Sequence, residues 1–547
     1  MTSIFRWTAA QFAFCAVFAG IVSAQQSDGI PVTNPLVIAK CGTCHARDEH
    51  GNMERISWAR TTPEGWQGAL KQMILLHDLQ LTPPEARTIV RYLGASHGLA
   101  PEEARPVMYD PERRIHEEDN IPSDSLREAC AKCHPFARAL EWRRSSDDWK
   151  TFLDSHAERY KVRKKEEALA FLAKAALLRT PEWEAWNAGT RTSKLAGRWL
   201  TAAYIPGRGN YFGEMLIDSA GDDEYTTRVT LKSVTDGSVI VRSGRSAVFA
   251  GYAWRGRSSG SPPAKVAPDD LSSEAREVMW IAPDQSTAEG RWFWGQYQEF
   301  EFNVKLLRAS SSPALITLDR SSLKTGSQAN RIRLIGDRFP AQVTPADLDF
   351  GPGLVVRGIV SNTASEVVAE VDVAANAPLG KRSVAFRGLA GTAAIAIYDR
   401  IDYIKVSPDS AVSAFSDRTR QKGYMQFDAI GYQRGSDGKS HTPDDVALGP
   451  VDVTWAIQVF HADDGASGDF VGAVSPSGLF TPAADPPDNN FDVWVVATAS
   501  REKDQNGTPL VGKSYMVVTL PTYTFNGRRY VRDLDRWVDD GPVSTGK

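Results

Sequence analysis

Apolar and polar positions fall into three textures along the chain. The first is a short, mostly apolar stretch from Ala9 to Val22, preceded by a single basic residue, Arg6. It falls short of the ~20 residues a bilayer span needs. Val22-Ser23-Ala24 then offers a small-residue cleavage site before Gln25. This reads as a secretory signal peptide over residues 1–24, with a mature chain in the periplasm. No later segment reaches the length of a membrane span.

The second texture is helical and ends near Gly189. Thr62-Pro63-Glu64-Gly65-Trp66 opens one helix that runs through Gln67 to Met73, and Ser146-Asp147-Asp148-Trp149 opens another that runs through Lys150 to His156. A tryptophan precedes Met73 and His156 by seven positions in each case, close to two helical turns, so each pair shares a helix face. Each helix is followed by a second helical pattern, Pro84 to Leu93 and Glu166 to Leu172, and Thr82-Pro83-Pro84-Glu85 is a helix-start signal for the first of these. Between the two halves, Pro101 to Asp124 is rich in proline and in charge of both signs, and is expected to be a solvated connector.

From Gly197 the texture changes to short alternating runs separated by turn residues, the pattern of antiparallel sheet. Runs at Trp199 to Ile205, Tyr225 to Val234, Ser238 to Arg242, Ser246 to Trp254 and Trp292 to Leu306 predict a barrel or sandwich, with Asp236-Gly237 as a hairpin turn. Asp222-Asp223-Glu224 reads as a solvated turn rather than a metal site. Gly207-x-Gly209-x-x-x-Gly213 lacks the strand–helix–strand setting of a dinucleotide fingerprint. A second β region follows Pro313, with strands near Leu315, Ile332 to Ile335, Leu354 to Val360, Glu366 to Val373 and Ser383 to Phe386. Its length is that of an immunoglobulin-like sandwich. A third begins near Ile401, with strands at Val453 to Phe460, Asp492 to Ala499 and Tyr515 to Leu520. Its Ser475 to Thr481 segment looks like a turn-and-strand element of bacterial immunoglobulin-like domains, and Asn506-Gly507-Thr508 reads as a hairpin turn. No nucleophile elbow, phosphate loop or catalytic triad appears in these regions.

The expected fold is therefore multidomain: an all-α unit over residues 25–190, an antiparallel β-barrel over 191–308, and two immunoglobulin-like β-sandwiches over 309–400 and 401–547. A length of 547 residues suits several domains. With 42% hydrophobic and 24% charged residues and a formal charge of −4, the composition is that of a soluble globular protein, and it favours neither nucleic acid nor a membrane surface as partner.

The cysteines carry the chemistry. Cys15 lies in the signal peptide, and the other four form Cys41-Gly42-Thr43-Cys44-His45 and Cys130-Ala131-Lys132-Cys133-His134. Two thiols at this spacing reach the two vinyl groups of one porphyrin, and the adjacent histidine meets the iron, which is the attachment signature of c-type haem. A zinc site built from two such pairs would space them by ~15–20 residues, and a thioredoxin-like pair would need an alternating strand–helix setting. Two covalent haems are expected, with Cys41, Cys44, Cys130 and Cys133 as attachment points. On the internal repeat, His45 and Met73 are the axial ligands of the first iron, and His134 and His156 those of the second. His77 competes with Met73 for the first iron, and His50 and His97 compete more weakly. Methionine ligation raises the potential relative to two histidines, so electrons are expected to run from the second haem to the first.

A chain with these two pentads, the Trp66/Met73 and Trp149/His156 helices, and three β regions behind them resembles the α (dihaem cytochrome c) subunit of quinohaemoprotein amine dehydrogenase over essentially its whole mature length. The resemblance implies a periplasmic heterotrimer that deaminates primary amines oxidatively. A small separate subunit carries cysteine tryptophylquinone and a third is a β-propeller. The haem subunit passes electrons to a soluble acceptor of the cytochrome c or cupredoxin type. With every mature cysteine committed to haem, this chain alone is not expected to oxidise amines. Two other readings stand beside it: a free-standing dihaem carrier or peroxidase, and a β-domain binding module with a haem tail.

Overall fold

The computed structural model describes residues 29–108, 121–131, 134–189, 191–262, 266–416, 421–462, 465–485, 489–520, 528–531 and 536–539. The expected signal peptide lies outside them, as does Cys133. Among the described residues, no helix is long and apolar enough to cross a membrane.

The helical part is built from two units of one plan. Each opens with a seven-residue helix that ends on the first cysteine of a pentad, α1 (Pro35–Cys41) and α5 (Asp124–Cys130). A two-residue strand follows, β1 (Ala59–Arg60) or β2 (Arg143–Arg144), then a fifteen-residue helix, α2 (Pro63–His77) or α7 (Ser146–Tyr160), then a closing helix, α3 (Pro83–Ser96) or α8 (Lys165–Ala175). The starts are set by side-chain caps that occupy otherwise orphaned backbone donors. Thr62 accepts from the Gly65 N–H, Ser145 accepts from the Asp148 N–H, and Thr82 and Glu85 form a reciprocal box at the head of α3. The long helices both stop at a left-handed residue, Asp78 and Lys161, each at φ 55°. The units meet where β1 and β2 pair antiparallel, with Ala59 opposite Arg144 and Arg60 opposite Arg143. Three shorter helices, α4 (Pro101–Ala104), α6 (Ala137–Leu140) and α9 (Pro181–Ala188), fill in around them.

The connector departs from expectation. Its first part, 101–108, is packed rather than solvated: Glu103, Ala104, Val107 and Met108 are buried. The cause is electrostatic. Arg60 is wholly buried between the units and needs a counter-charge, which Glu103 supplies through two hydrogen bonds of 2.7 and 2.9 Å. The remainder, 109–120, lies outside the described residues.

Eight strands then close a barrel: β3 (Gly197–Ile205), β4 (Gly209–Gly221), β5 (Glu224–Ser233), β6 (Val239–Phe249), β7 (Ala253–Ser259), β8 (Ala275–Ile281), β9 (Thr287–Trp294) and β10 (Phe300–Arg308). Neighbours in sequence pair antiparallel and β10 closes on β3, so no edge is left open. The core is aromatic, with Trp199, Trp254, Trp292 and Phe302 fully buried. The Asp236-Gly237 turn forms, with Gly237 at φ 75°. Three expected runs are cut differently. Ser238–Arg242 and the start of Ser246–Trp254 form one strand, β6, and the chain turns at Ala250-Gly251. The run from Trp292 to Leu306 is split by a turn at Gly295, where a side chain would fall 2.2 Å from a Glu299 carboxylate oxygen. Asp223 is a turn residue at φ 56°, and its carboxylate accepts from the Ser193 hydroxyl.

Residues 314–398 form two four-stranded sheets around a core that includes Ile332, Leu334, Val367, Val384 and Ile395. Residues 403–519 form three further sheets around Phe415, Phe427, Phe480, Val495 and Met516. Within them Gly472–Val474 and Leu479–Pro482 pair across a turn at Gly478, and Asn506-Gly507 lies between Phe491–Lys503 and Pro509–Thr519. An ion pair and a hydrogen bond tie these regions to the barrel: the Arg198 guanidinium meets both Asp337 oxygens at 2.9 and 2.7 Å, and the Tyr204 hydroxyl donates to Asp428.

Candidate haem sites

Each pentad starts at the C-terminal end of a short helix. After Cys41 the chain makes a tight turn in which the Cys44 and His45 amides both donate to the Cys41 carbonyl, at 3.2 and 2.9 Å. Cys41 is half-buried and Cys44 exposed, so the pair straddles the surface. Burial pushes the Cys41 thiol above its ordinary value, and the neighbouring Cys44 adds to this. Cys130 stands at the same point of α5.

Both pentad histidines are oriented by the backbone. His45 Nδ1 lies 2.9 Å from the Glu54 carbonyl and His134 Nδ1 lies 2.9 Å from the Pro135 carbonyl. A carbonyl can only accept, so Nδ1 carries the proton and Nε2 keeps its lone pair for a metal, the usual arrangement of a ligating histidine.

The long helices carry the opposite wall. In each, the tryptophan is buried and its indole N–H donates to the residue that caps the closing helix: Trp66 to the His97 carbonyl at 2.9 Å, and Trp149 to the Ala176 carbonyl at 2.8 Å. One turn on, Leu70 and Leu153 are buried in the unit cores. Seven residues beyond the tryptophans, Met73 and His156 are half-buried. In the second unit the His134 and His156 rings lie with centroids 6.4 Å apart and planes 61° apart. A metal held between two imidazole nitrogens at about 2.0–2.1 Å each separates the ring centres by roughly 6–6.5 Å, so this pair fits an intervening iron. Burial, and then the neighbouring His134 and Arg159, lower the His156 pKa from its ordinary value, which favours the neutral form that ligation needs.

The surroundings also fit a porphyrin. Apolar side chains crowd the outer ends of the two long helices instead of the core: Leu75 and Leu76 on α2 are 52% and 70% exposed, and Tyr160 on α7 is 60% exposed. Phe152 stacks on His156 at 5.3 Å, and Tyr160 lies 4.8 Å from it. A flat apolar macrocycle would cover such surface.

The competing histidines are placed differently. His97 is fully buried, with Nε2 at 3.0 Å from the Ile30 carbonyl and Nδ1 at 2.8 Å from the Ser96 hydroxyl, so neither nitrogen is open to a metal. Its pKa is pushed down to about 4, chiefly by burial. His50 is exposed next to Glu49. His77 is exposed on the last turn of α2, and Tyr160 occupies the equivalent place on α7.

Sequence reasoning missed the residues that join the units. Trp142 packs against both unit cores, and its ring lies 5.9 Å from Trp66. Glu141 is buried beside it and accepts from the Thr62 hydroxyl at 2.9 Å. Nothing in the local pattern marks them, since their neighbours come from the other unit.

Four family models match the chain in order. The one described as "Quinohemoprotein amine dehydrogenase A, alpha subunit, haem binding" covers residues 32–170. Models of domains II, III and IV of the same alpha subunit cover 192–309, 312–399 and 404–528. No match was found among the curated proteins. Solved structures similar to parts of the chain include a redesigned β-barrel, at 10% identity and TM-score 0.18, covering 21% of this chain and 92% of that one. Another is chicken VE-cadherin EC1-2, at 9% identity and TM-score 0.16, covering 38% of this chain and 98% of that one.

Proposed function

The chain belongs to the family of quinohaemoprotein amine dehydrogenase α subunits, and from that premise we propose that it is the dihaem electron-transfer subunit of a periplasmic enzyme of this kind. It accepts electrons from a partner subunit bearing cysteine tryptophylquinone during oxidative deamination of primary amines, and passes them to a soluble periplasmic acceptor. A β-propeller subunit completes the assembly, and the two C-terminal β regions serve as immunoglobulin-like scaffold.

Each haem, when bound, supplies a one-electron ferric/ferrous couple. Cys41 and Cys44 would tether the first and Cys130 and Cys133 the second. His45 and His134, their rings held by carbonyl oxygens, would offer Nε2 to the irons, and Met73 and His156 would supply the remaining ligands. The Met73 thioether favours the ferrous state more than an imidazole does, so the first unit works at the higher potential. The observation that carries this reading is the His134–His156 spacing of 6.4 Å at the place the repeat assigns to a second haem.

The exported protein should have the mass of a chain beginning at Gln25 plus two porphyrins, and from its native source it should co-elute with two further subunits, one with quinone absorbance. A bare polypeptide mass, or peroxidase activity of the isolated chain, would overturn the reading. The Met73→His variant should lower the potential of one haem and leave the other in place. Potentiometry that finds both unchanged removes Met73 from the ligand set.

A further inference from the structure

The two haem units are joined through one half-buried ring. Trp142 packs against the core around Trp66, Leu70 and Leu93 and also against the core around Trp149, Leu153 and Leu172. Its contacts continue in both directions. Trp66 lies edge-on at 5.9 Å. The Arg144 guanidinium sits 4.7 Å over Trp142 and also faces Phe152 at 4.9 Å and Trp149 at 5.6 Å. Phe152 in turn stacks on His156 at 5.3 Å with the planes 23° apart. A series of π systems and a planar cation therefore runs from the ligand helix of one unit to the proposed axial histidine of the other.

The repeat indicates that packing within a unit does not require a tryptophan here. The offset that carries Thr62 onto Ser145, Trp66 onto Trp149 and Met73 onto His156 carries Ala59 onto Trp142. Ala59 is itself buried, so the same place in the first unit is completed by a methyl group. The large ring is present only on the side where it reaches across to the other unit.

We infer that Trp142, backed by Arg144, is the electronic bridge between the two haem units, an inference that rests on both units carrying haem. One electron leaves the ferrous iron of one unit and arrives at the ferric iron of the other, and Trp142 itself is neither oxidised nor reduced. Delocalised orbitals in contact couple the two sites more strongly than a saturated side chain of similar volume. The test uses the full-length exported holoprotein and its Trp142→Leu and Trp142→Phe variants. Pulse reduction, followed at wavelengths where the two haems differ, gives the rate at which the electron equilibrates between them. Trp142→Leu should slow that rate several-fold with both haems attached and both potentials unchanged, while Trp142→Phe stays near the parent rate. An unchanged rate in Trp142→Leu overturns the bridge, and so does Trp142→Phe as slow as Trp142→Leu. Loss of haem or shifted potentials in Trp142→Leu would make Trp142 a packing residue and overturn it too. A parent protein whose mass lacks the second porphyrin would sink the dihaem reading itself, and that is seen before any rate is measured.

Discussion

A carboxyl group taken out of water with one hydroxyl donor is poorly compensated in its charged form, and Glu141 is placed in this way between the haem units. Burial raises its pKa to about 7, the nearby Glu64 pushes the same way, and Thr62, Arg138 and Arg255 only partly oppose them. The folded state thus holds this proton more tightly than the unfolded chain does. The resulting stabilisation is complete below the ordinary carboxylate range and is lost as pH rises through about 7. Glu141→Gln should therefore flatten the fall in stability between mildly acid and mildly alkaline pH by an amount on the order of 3 kcal/mol. Denaturant unfolding at two pH values reads this directly, and equal slopes for parent and variant would refute it. At this scale the pentad cysteines and histidines are legible in sequence, because the C-x-x-C-H motif is short and has a fixed spacing. Glu141 and His97 are not, because a lone Glu or His carries no sign of its burial.

The repeat is legible at the scale of elements, though incompletely. The tryptophan-to-ligand spacing marks α2 and α7, and the capping residues Thr62, Thr82 and Ser145 mark helix starts. The short helices that end on Cys41 and Cys130 are not legible in the sequence, since seven residues give too little periodicity to register. The caps also differ in duty. Ser145 serves only its own helix, accepting from the Asp148 N–H at 3.2 Å, whereas the Thr62 hydroxyl also donates to Glu141. Ser145→Ala should cost about 1 kcal/mol in the unfolding of the second unit, and Thr62→Ala should cost more. Equal losses, measured by thermal or denaturant unfolding, would show that the Glu141 contact contributes little. In the barrel, alternation locates strands but misplaces the breaks in three runs. A turn such as Gly295, packed against Glu299, is set by a contact outside the strand pattern.

Across the whole molecule, one buried charge cluster holds the helical units to each other, with Glu103 shared between Arg60 of the first and Arg143 of the second. Arg60 meets Glu103 at 2.7 Å, and donates to the Gly98 carbonyl at 3.0 Å and to the Leu178 carbonyl at 2.5 Å. Its guanidinium lies 4.7 Å over Trp183. The same connector meets the barrel, where the Trp280 indole donates to the Pro101 carbonyl at 2.9 Å and the Tyr252 hydroxyl to the Leu99 carbonyl at 2.9 Å. Arg60→Met leaves Glu103 with Arg143 at 3.5 Å, the Thr180 hydroxyl and the Ala100 N–H, and should cost about 3 kcal/mol, the low end for a broken buried pair. Glu103→Leu alone strands both Arg60 and Arg143 and should cost more in the same unfolding measurement, and an equal or smaller loss would mean that Glu103 is not their shared counter-charge. The sequence by itself determined what local rules govern: the two haem pentads, the helix starts, the change from helix to strand near Gly197 and the likeness to a haem-bearing subunit. Each follows from bond lengths, backbone donors and side-chain periodicity within a few residues. The tertiary structure alone decided that Arg60 finds Glu103, that His97 is sealed inside, that His134 lies beside His156, and that Trp142 stands between the two units. Those outcomes depend on which distant segments exclude water together, a property of packing that no short window of the chain contains.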